Sequence, residues 1–180
     1  MARVPYPTRD DLSVGDAELF DRLERERGTP LPDIFRALLN TPKMIDPVLG
    51  LALALRNDTV IERRFRELAI LVVAGLTKCQ YELDHHWNAA LNAGVARDKI
   101  ENAAGFETYP TFDPQERAVM RYAREATLRG EVSNAAWDGL RAFMDVRQAM
   151  EIVITVAWYN MIARLLVPLQ IETEGWFRKL

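Results

Sequence analysis

Alternation of apolar and polar residues, the mark of a half-buried strand, is missing from this 180-residue chain. Glycine and proline fall between segments that carry the period of a helix. This leaves one fold class, an all-α helical bundle. A chain of this length fits one domain, and 49% apolar residues are ample for its core. We therefore read residues 1–180 as a single all-helical domain.

The punctuation places the helices. Residues 1–14 are extended, with Pro5 and Pro7. A helix runs from about Asp16 to Arg27 and stops at Gly28. DIFRALLN forms a short helix, and Asn40-Thr41-Pro42 ends it and starts another that reaches about Arg56. Asn57-Asp58-Thr59 is expected to cap a long apolar helix over Ile61–Leu76. The next helix spans Gln80–Asn92 and stops at Gly94, and ARDKIENAAG is a short helix ending at Gly105. FETYPTF reads as a loop. Asp113-Pro-Gln-Glu116 and Asp145-Val-Arg-Gln148 both have the form of a capping box, and between them Ser133 caps a helix through about Met144. The last long helix covers about Val146–Leu166 and ends before Pro168. Trp176 and Phe177 in the tail 168–180 are poor choices for a free end, so the tail is expected to dock on a neighbour.

Charge and composition remove several function classes. The net charge is −3, and acids and bases are interleaved without a basic block, which disfavours nucleic acid. One cysteine excludes an intramolecular disulfide and suits a reducing compartment. No apolar signal core opens the sequence. The longest purely apolar run, LAILVVAGL (68–76), is too short to span a bilayer. The stretch 152–169 is interrupted by Thr155, Asn160 and Arg164. The expectation is a cytoplasmic protein. Four tryptophans, the long apolar helices and the aromatic tail exceed what a small monomeric bundle needs, so a homo-oligomer is expected.

The two long apolar helices resemble each other. RRFRELAILVVAG (63–75) aligns with RQAMEIVITVAWY (147–159), each with an arginine four residues before a glutamate. Either two buried helices of one bundle look alike, or a helical unit has been duplicated. If duplicated, the second copy has lost its chemistry. Cys79 and His86 follow Glu67 by twelve and nineteen residues, whereas Ala163 and Gln170 follow Glu151 at those distances.

CQYELDHHW (79–87) gathers the only cysteine and both histidines. On a helix, Cys79, Glu82 and His86 share one face, and Glu82 and His86 are i,i+4 neighbours in hydrogen-bond reach. A carboxylate beside an imidazole orients the ring and raises its pKa, which makes a general acid–base pair. Glu67, on an otherwise apolar stretch, can come alongside through a helical hairpin. A buried acid needs a partner, either His86 or Arg63 one turn earlier. Tyr81 and His85 are rotated about 100° from these residues. Asp84 points elsewhere.

Plainer readings exist for each. Adjacent histidines often form a polar face, and a lone cysteine is commonly a small core residue. Trp158, Tyr159 and Asn160 read most simply as core and interface residues. The arginines 56, 63, 64 and 66 alternate with Glu62 and Glu67 as a salt-bridged face. A metal site on Glu67, Glu82 and His86 lacks an HExxH pattern and a fourth ligand.

RELAILVVAGLTKCQYELDHHWNAALNAGVARDKIENA (66–103) resembles the carboxymuconolactone decarboxylase/alkylhydroperoxidase D-like family. The marks are the glutamate of R-E-L, twelve residues to cysteine, seven more to histidine, then A-x-x-x-G-V. The resemblance is strongest over about 40 residues and extends over roughly 45–130, leaving the C-terminal helices 113–166 and the tail beyond. It implies an all-helical, cofactor-free protein that assembles as a trimer or hexamer. The peroxidase branch carries C-x-x-C, and here the second cysteine position is Glu82. A carboxylate four residues before the histidine matches the decarboxylase branch, while Glu67 and Cys79 are features of the peroxidase branch.

The resemblance thus implies a cofactor-independent decarboxylase, or related lyase or isomerase, acting on a small carboxylated lactone or ring acid. His86 is its general acid, Glu82 orients it, and Glu67 is a second acid–base or positioning group. Cys79 lines the pocket. Tyr81 and His85 are secondary substrate-binding candidates, and Arg63, or an arginine from a neighbouring subunit, is the candidate to hold the substrate carboxylate. The rivals are a single-cysteine thiol peroxidase using Cys79 and a non-catalytic helical oligomer.

Overall fold

The computed structural model describes all 180 residues apart from the side chain of Asp46. Among the described residues the regular structure is wholly helical. It consists of α1 (Val14–Arg27), α2 (Asp33–Leu38), α3 (Pro42–Asn57), α4 (Arg63–Leu76), α5 (Gln80–Asn92), α6 (Arg97–Glu101), α7 (Pro114–Arg129), α8 (Asn134–Arg141) and α9 (Val146–Leu169), with two short 3-10 turns.

The helices fall into two compact units. The first comprises Met1–Asp58 and Pro168–Phe177. Its core is Phe20 and Leu23 of α1, Leu31, Leu39, and Ile45 and Leu49 of α3. Helix α1 starts two residues earlier than expected because the Ser13 hydroxyl caps it, accepting from the Asp16 amide. It stops at Gly28, whose φ of 112° suits glycine. In the tail, Ile171 and Glu174 are buried, and the Glu174 carboxylate accepts from the Asp33 amide at 2.8 Å. Trp176 remains 45% exposed.

The second unit comprises Thr59–Val167 and Arg178–Leu180. Helix α4 is its axis. Every residue from Phe65 to Ala74 is buried, and the helix packs against α5 and α7. Both capping boxes form. Asp113 and Glu116 exchange bonds of 2.8 and 2.9 Å, and Asp145 and Gln148 exchange bonds of 2.8 and 3.0 Å. Ser133 caps α8 as expected, although α8 ends at Arg141, three residues short of Met144.

Two other boundaries are corrected. Asn57-Asp58-Thr59 does not cap α4: Asp58 closes α3, and the Thr59 hydroxyl accepts from Arg66. The Val60 and Ile61 amides, which precede α4, are instead accepted by the Glu151 carboxylate of α9, at 2.8 and 3.0 Å. Helix α9 runs through Pro168 to Leu169. A proline in the last turn forfeits only one amide bond, and Gln170, at φ 55°, turns the chain out of the helix.

By length and composition α9 could cross a membrane. One face of the helix packs inside the fold, burying Ala149, Ile152, Thr155, Val156, Trp158, Ile162, Ala163 and Leu166. The polar residues that interrupt its sequence are all engaged. Thr155 donates to the Glu151 carbonyl, Asn160 to Thr127, and Arg164 to Asn160.

Candidate functional site

The α4–α5 hairpin builds the site. Its turn is short because Lys78 takes a left-handed conformation, φ 54°, and the Cys79 amide donates back to the Ala74 carbonyl at 2.9 Å. The return helix then lies against α4 and brings together two residues nineteen apart in sequence. His86 Nδ1 sits 2.6 Å from Glu67 Oε2. On the other side of the ring, His86 Nε2 sits 3.1 Å from Glu82 Oε2. The i,i+4 pair expected from sequence is formed, and of the two proposed partners for Glu67 it is His86 that meets it.

The three side chains form a graded series. Glu67 is 3% exposed, Glu82 8% and His86 15%. Glu67 is therefore the most buried of the three and His86 the least. Burial alone disfavours a charged imidazole, but the Glu67 carboxylate and then Glu82 outweigh it, and the His86 pKa rises to about 9. The ring is an imidazolium at neutral pH and donates to both carboxylates. Burial likewise opposes ionisation of Glu67, yet His86 and Arg66 together hold its carboxyl below the usual carboxylate range.

Two members of the arrangement escaped the sequence reading. Arg66, itself buried, lies 3.3 Å from Glu67 Oε1 and bonds Thr59 at 3.2 Å. It occupies the place considered for Arg63, which is exposed and has no described ion pair to Glu67. The signal was in R-E-L, but an i,i+1 pair does not share a helix face, so the i,i+4 arginine was preferred. Tyr159 of α9 presents an edge-to-face contact to His86, with ring centroids 4.8 Å apart. No local pattern links residues 86 and 159.

Cys79 stands apart. It is the N-cap of α5 rather than a member of its helical face, and it is 1% exposed. Burial pushes its thiol up to about 11; the Glu82 and Tyr81 amides lower it, while the Glu82 charge raises it further. Among the described contacts none joins its sulfur to His86, whose two nitrogens are both committed to carboxylates. Tyr81 and His85 stack on each other with centroids 4.6 Å apart. Asp84, expected to point elsewhere, accepts from Gln80 at 2.8 Å. A cavity of about 110 Å³ lies elsewhere in this unit, lined by Ile61, Phe65, Phe143 and Met144 among others, and none of the candidate residues lines it.

The arrangement holds a proton at Nε2 of a ring fixed from behind by a buried carboxylate. Such a group can donate a proton to, or bind, an anionic oxygen or a carbon nucleophile.

Known proteins share the fold. A peroxidase-related protein from Ralstonia eutropha JMP134, described as an alkylhydroperoxidase AhpD core, superposes with a TM-score of 0.82 at 18% identity, covering 97% of this chain and 93% of its own. A peroxidase-related protein from Silicibacter sp. TM1040 gives 0.81 at 18% identity over 97% and 92%. A cysteine-to-alanine variant of the debrominase Bmp8, in complex with 2,3,4-tribromopyrrole, gives 0.77 at 19% identity over 91% and 90%. No curated protein matches the chain. The carboxymuconolactone decarboxylase family model matches residues 42–125, a span that contains Glu67, Cys79, Glu82 and His86. Over that span the chain is similar to the carboxymuconolactone decarboxylase family, and as a whole it has the helical fold of the AhpD-like structures.

Proposed function

We propose that the protein is a cofactor-independent decarboxylase, or a related lyase or isomerase, that acts on a small carboxylated lactone or ring acid by general acid–base catalysis. The carrying observation is the contrast between two neighbours on one hairpin: His86 is protonated and clamped by Glu67 and Glu82, whereas the Cys79 thiol is buried and protonated. In the proposed step the bond between the ring and its carboxylate breaks and CO₂ leaves. The electron pair enters the conjugated enoate, and a proton from His86 is taken up at carbon. A proton from solvent then re-protonates His86, so the step is redox-neutral and consumes one solvent proton for each CO₂ released. Glu67 positions the ring and stabilises its charged form. The ligand of the debrominase relative, a small planar ring, is of the size class proposed here.

An oligomer, trimer or hexamer, belongs to this reading, as does a cytoplasmic setting. Val146, Met150, Ile154, Ala157 and Met161 are exposed along one stripe of α9, at spacings that suit packing of a second helix.

The alternative is a thiol peroxidase using Cys79. Its support is the peroxidase-related description of two fold relatives and the place of Cys79 at the N-cap of α5, where the Glu82 and Tyr81 amides favour a thiolate. It requires an external thiol to resolve the sulfenic acid, because residue 82 is a glutamate.

One screen separates them. Wild type, His86→Ala and Cys79→Ser are assayed on carboxymuconolactone and related ring acids, then on cumene hydroperoxide with a dithiol. Ring-acid turnover that dies with His86 and survives without Cys79 is expected. Peroxide consumption that dies with Cys79 establishes the alternative, and neither activity favours a non-catalytic helical oligomer.

A further inference from the structure

The two carboxylates on His86 are not equivalent. Glu67 is fixed: it is the most buried of the three, its contact is the shorter at 2.6 Å, and Arg66 holds its other oxygen. Glu82 has the longer contact, 3.1 Å, is the less buried of the two acids, and has no arginine among its described contacts. It sits one turn earlier on the same helix, so a change of its rotamer alone can release Nε2 without moving the backbone.

We infer that the Glu82 carboxylate is an exchangeable occupant of a carboxylate-binding site at His86 Nε2, and that a carboxylate group of the ligand binds by displacing it. This rests on the acid–base reading above for the use of the site, but not for its existence. The physical case is one of charge balance. An imidazolium in a low-dielectric site cannot be left without an anion at little cost. An incoming carboxylate supplies the same charge and the same acceptor oxygens as the group it replaces, while Glu82 regains hydration. The swap therefore leaves no buried ion unpaired. A neutral ligand cannot do this. The same geometry supplies the cation that sequence reasoning sought in Arg63, which is exposed. The bound carboxylate places its ring beside the Nε2 proton.

The chain has only two histidines, so their ring resonances can be separated by NMR using His85→Gln. Benzoate, with benzamide as the neutral control, is titrated into wild type and Glu82→Gln at pH 7. We expect a saturable shift of the His86 resonances with benzoate and none with benzamide, and an affinity at least about tenfold tighter in Glu82→Gln, where the competing charge is gone. Equal or weaker affinity in the variant overturns the inference, as does an absence of His86 shifts in both proteins. Should Glu82→Gln fail to fold, Glu82→Asp, too short to span one turn to Nε2, must show the same tightening. Benzoate binding without turnover of any ring acid retains the site and removes the decarboxylase reading. Turnover that depends on His86, with a benzoate affinity indifferent to residue 82, retains that reading and removes the exchange.

Discussion

Helices α4 and α9 carry the same sequence pattern and use it differently. Each has an arginine four residues before a glutamate and then an apolar run. In α9 the pattern forms a helix-face ion pair, Arg147 to Glu151 at 3.2 Å, and Glu151 also accepts the Val60 and Ile61 amides. In α4 the corresponding pair, Arg63 to Glu67, is absent among the described contacts. Glu67 turns instead to His86 and Arg66 inside the fold. A carboxylate on an apolar helix is thus a backbone cap or the buried partner of an imidazole and a guanidinium according to what the next element brings to it. After α4 comes a tight turn and a return helix bearing His86, whereas after α9 comes the tail.

The sharpest way to break this contrast is to neutralise each glutamate in turn. Glu67→Gln keeps the shape but leaves the buried His86 and Arg66 charges without their anion. We expect a loss of about 3–5 kcal/mol of folding stability by urea denaturation. A loss below that caused by Glu151→Gln would mean that Glu67 is no more committed to its partners than a surface cap.

The second test is pH. Because the His86 pKa in the folded protein lies near 9, above its ordinary 6.5, its contribution is complete below about pH 6.5 and is lost as pH rises through 9. Glu67 is shifted the other way. Its contribution is present above the ordinary carboxylate pKa and is lost as pH falls through its lowered value. Relative to His86→Gln, wild type should lose up to about 3 kcal/mol between pH 6.5 and 9.5. No α9 residue has such an effect in view, because Glu151 has no histidine beside it. A pH dependence identical in the two proteins would remove the charged clamp.

Glu151→Gln is expected to cost less, about 1–2 kcal/mol, since the neutral amide still accepts from Val60 and Ile61 while losing the charge assistance. The expected site of loosening is the loop before α4, read as faster amide exchange at Val60 and Ile61. Unchanged exchange there would show that Glu151 does not organise that loop.

Local rules carried most of the fold and half of the site. The limits of α5 and both capping boxes came directly from sequence, because their determinants lie within three or four residues of each other. The Glu82–His86 pair was visible for the same reason. What lay beyond reach depended on distant chain. The loop before α4 is tied by a residue ninety positions away, and Tyr159 reaches His86 from another helix. Cys79 was placed on the helical face by spacing alone, but the turn consumes that residue as a cap. Arg66 was missed because neighbours in sequence point apart on a helix, yet long side chains can still converge on one carboxylate.

The smallest effect concerns the cysteine itself. Its counterpart after Glu151 is Ala163, which is 2% exposed, beside 1% for Cys79. If Cys79 is a small buried residue that also accepts two amides, Cys79→Ala makes the α4 copy like the α9 copy at that position. It should cost about 1 kcal/mol, a modest core truncation. Cys79→Ser should cost less than the alanine, because a hydroxyl at a helix N-cap accepts from the same amides. Ring-acid turnover should change by less than about twofold in either variant, as neither alters the His86 clamp. The thiol of wild type should react with iodoacetamide far more slowly at pH 8 than a free thiol of pKa near 8.5, because burial holds it at about 11. Fast alkylation, with the serine variant losing turnover while the His86 pH dependence stays intact, would reverse the assignment on this hairpin. The imidazolium would then be the scaffold and the sulfur the reactive group.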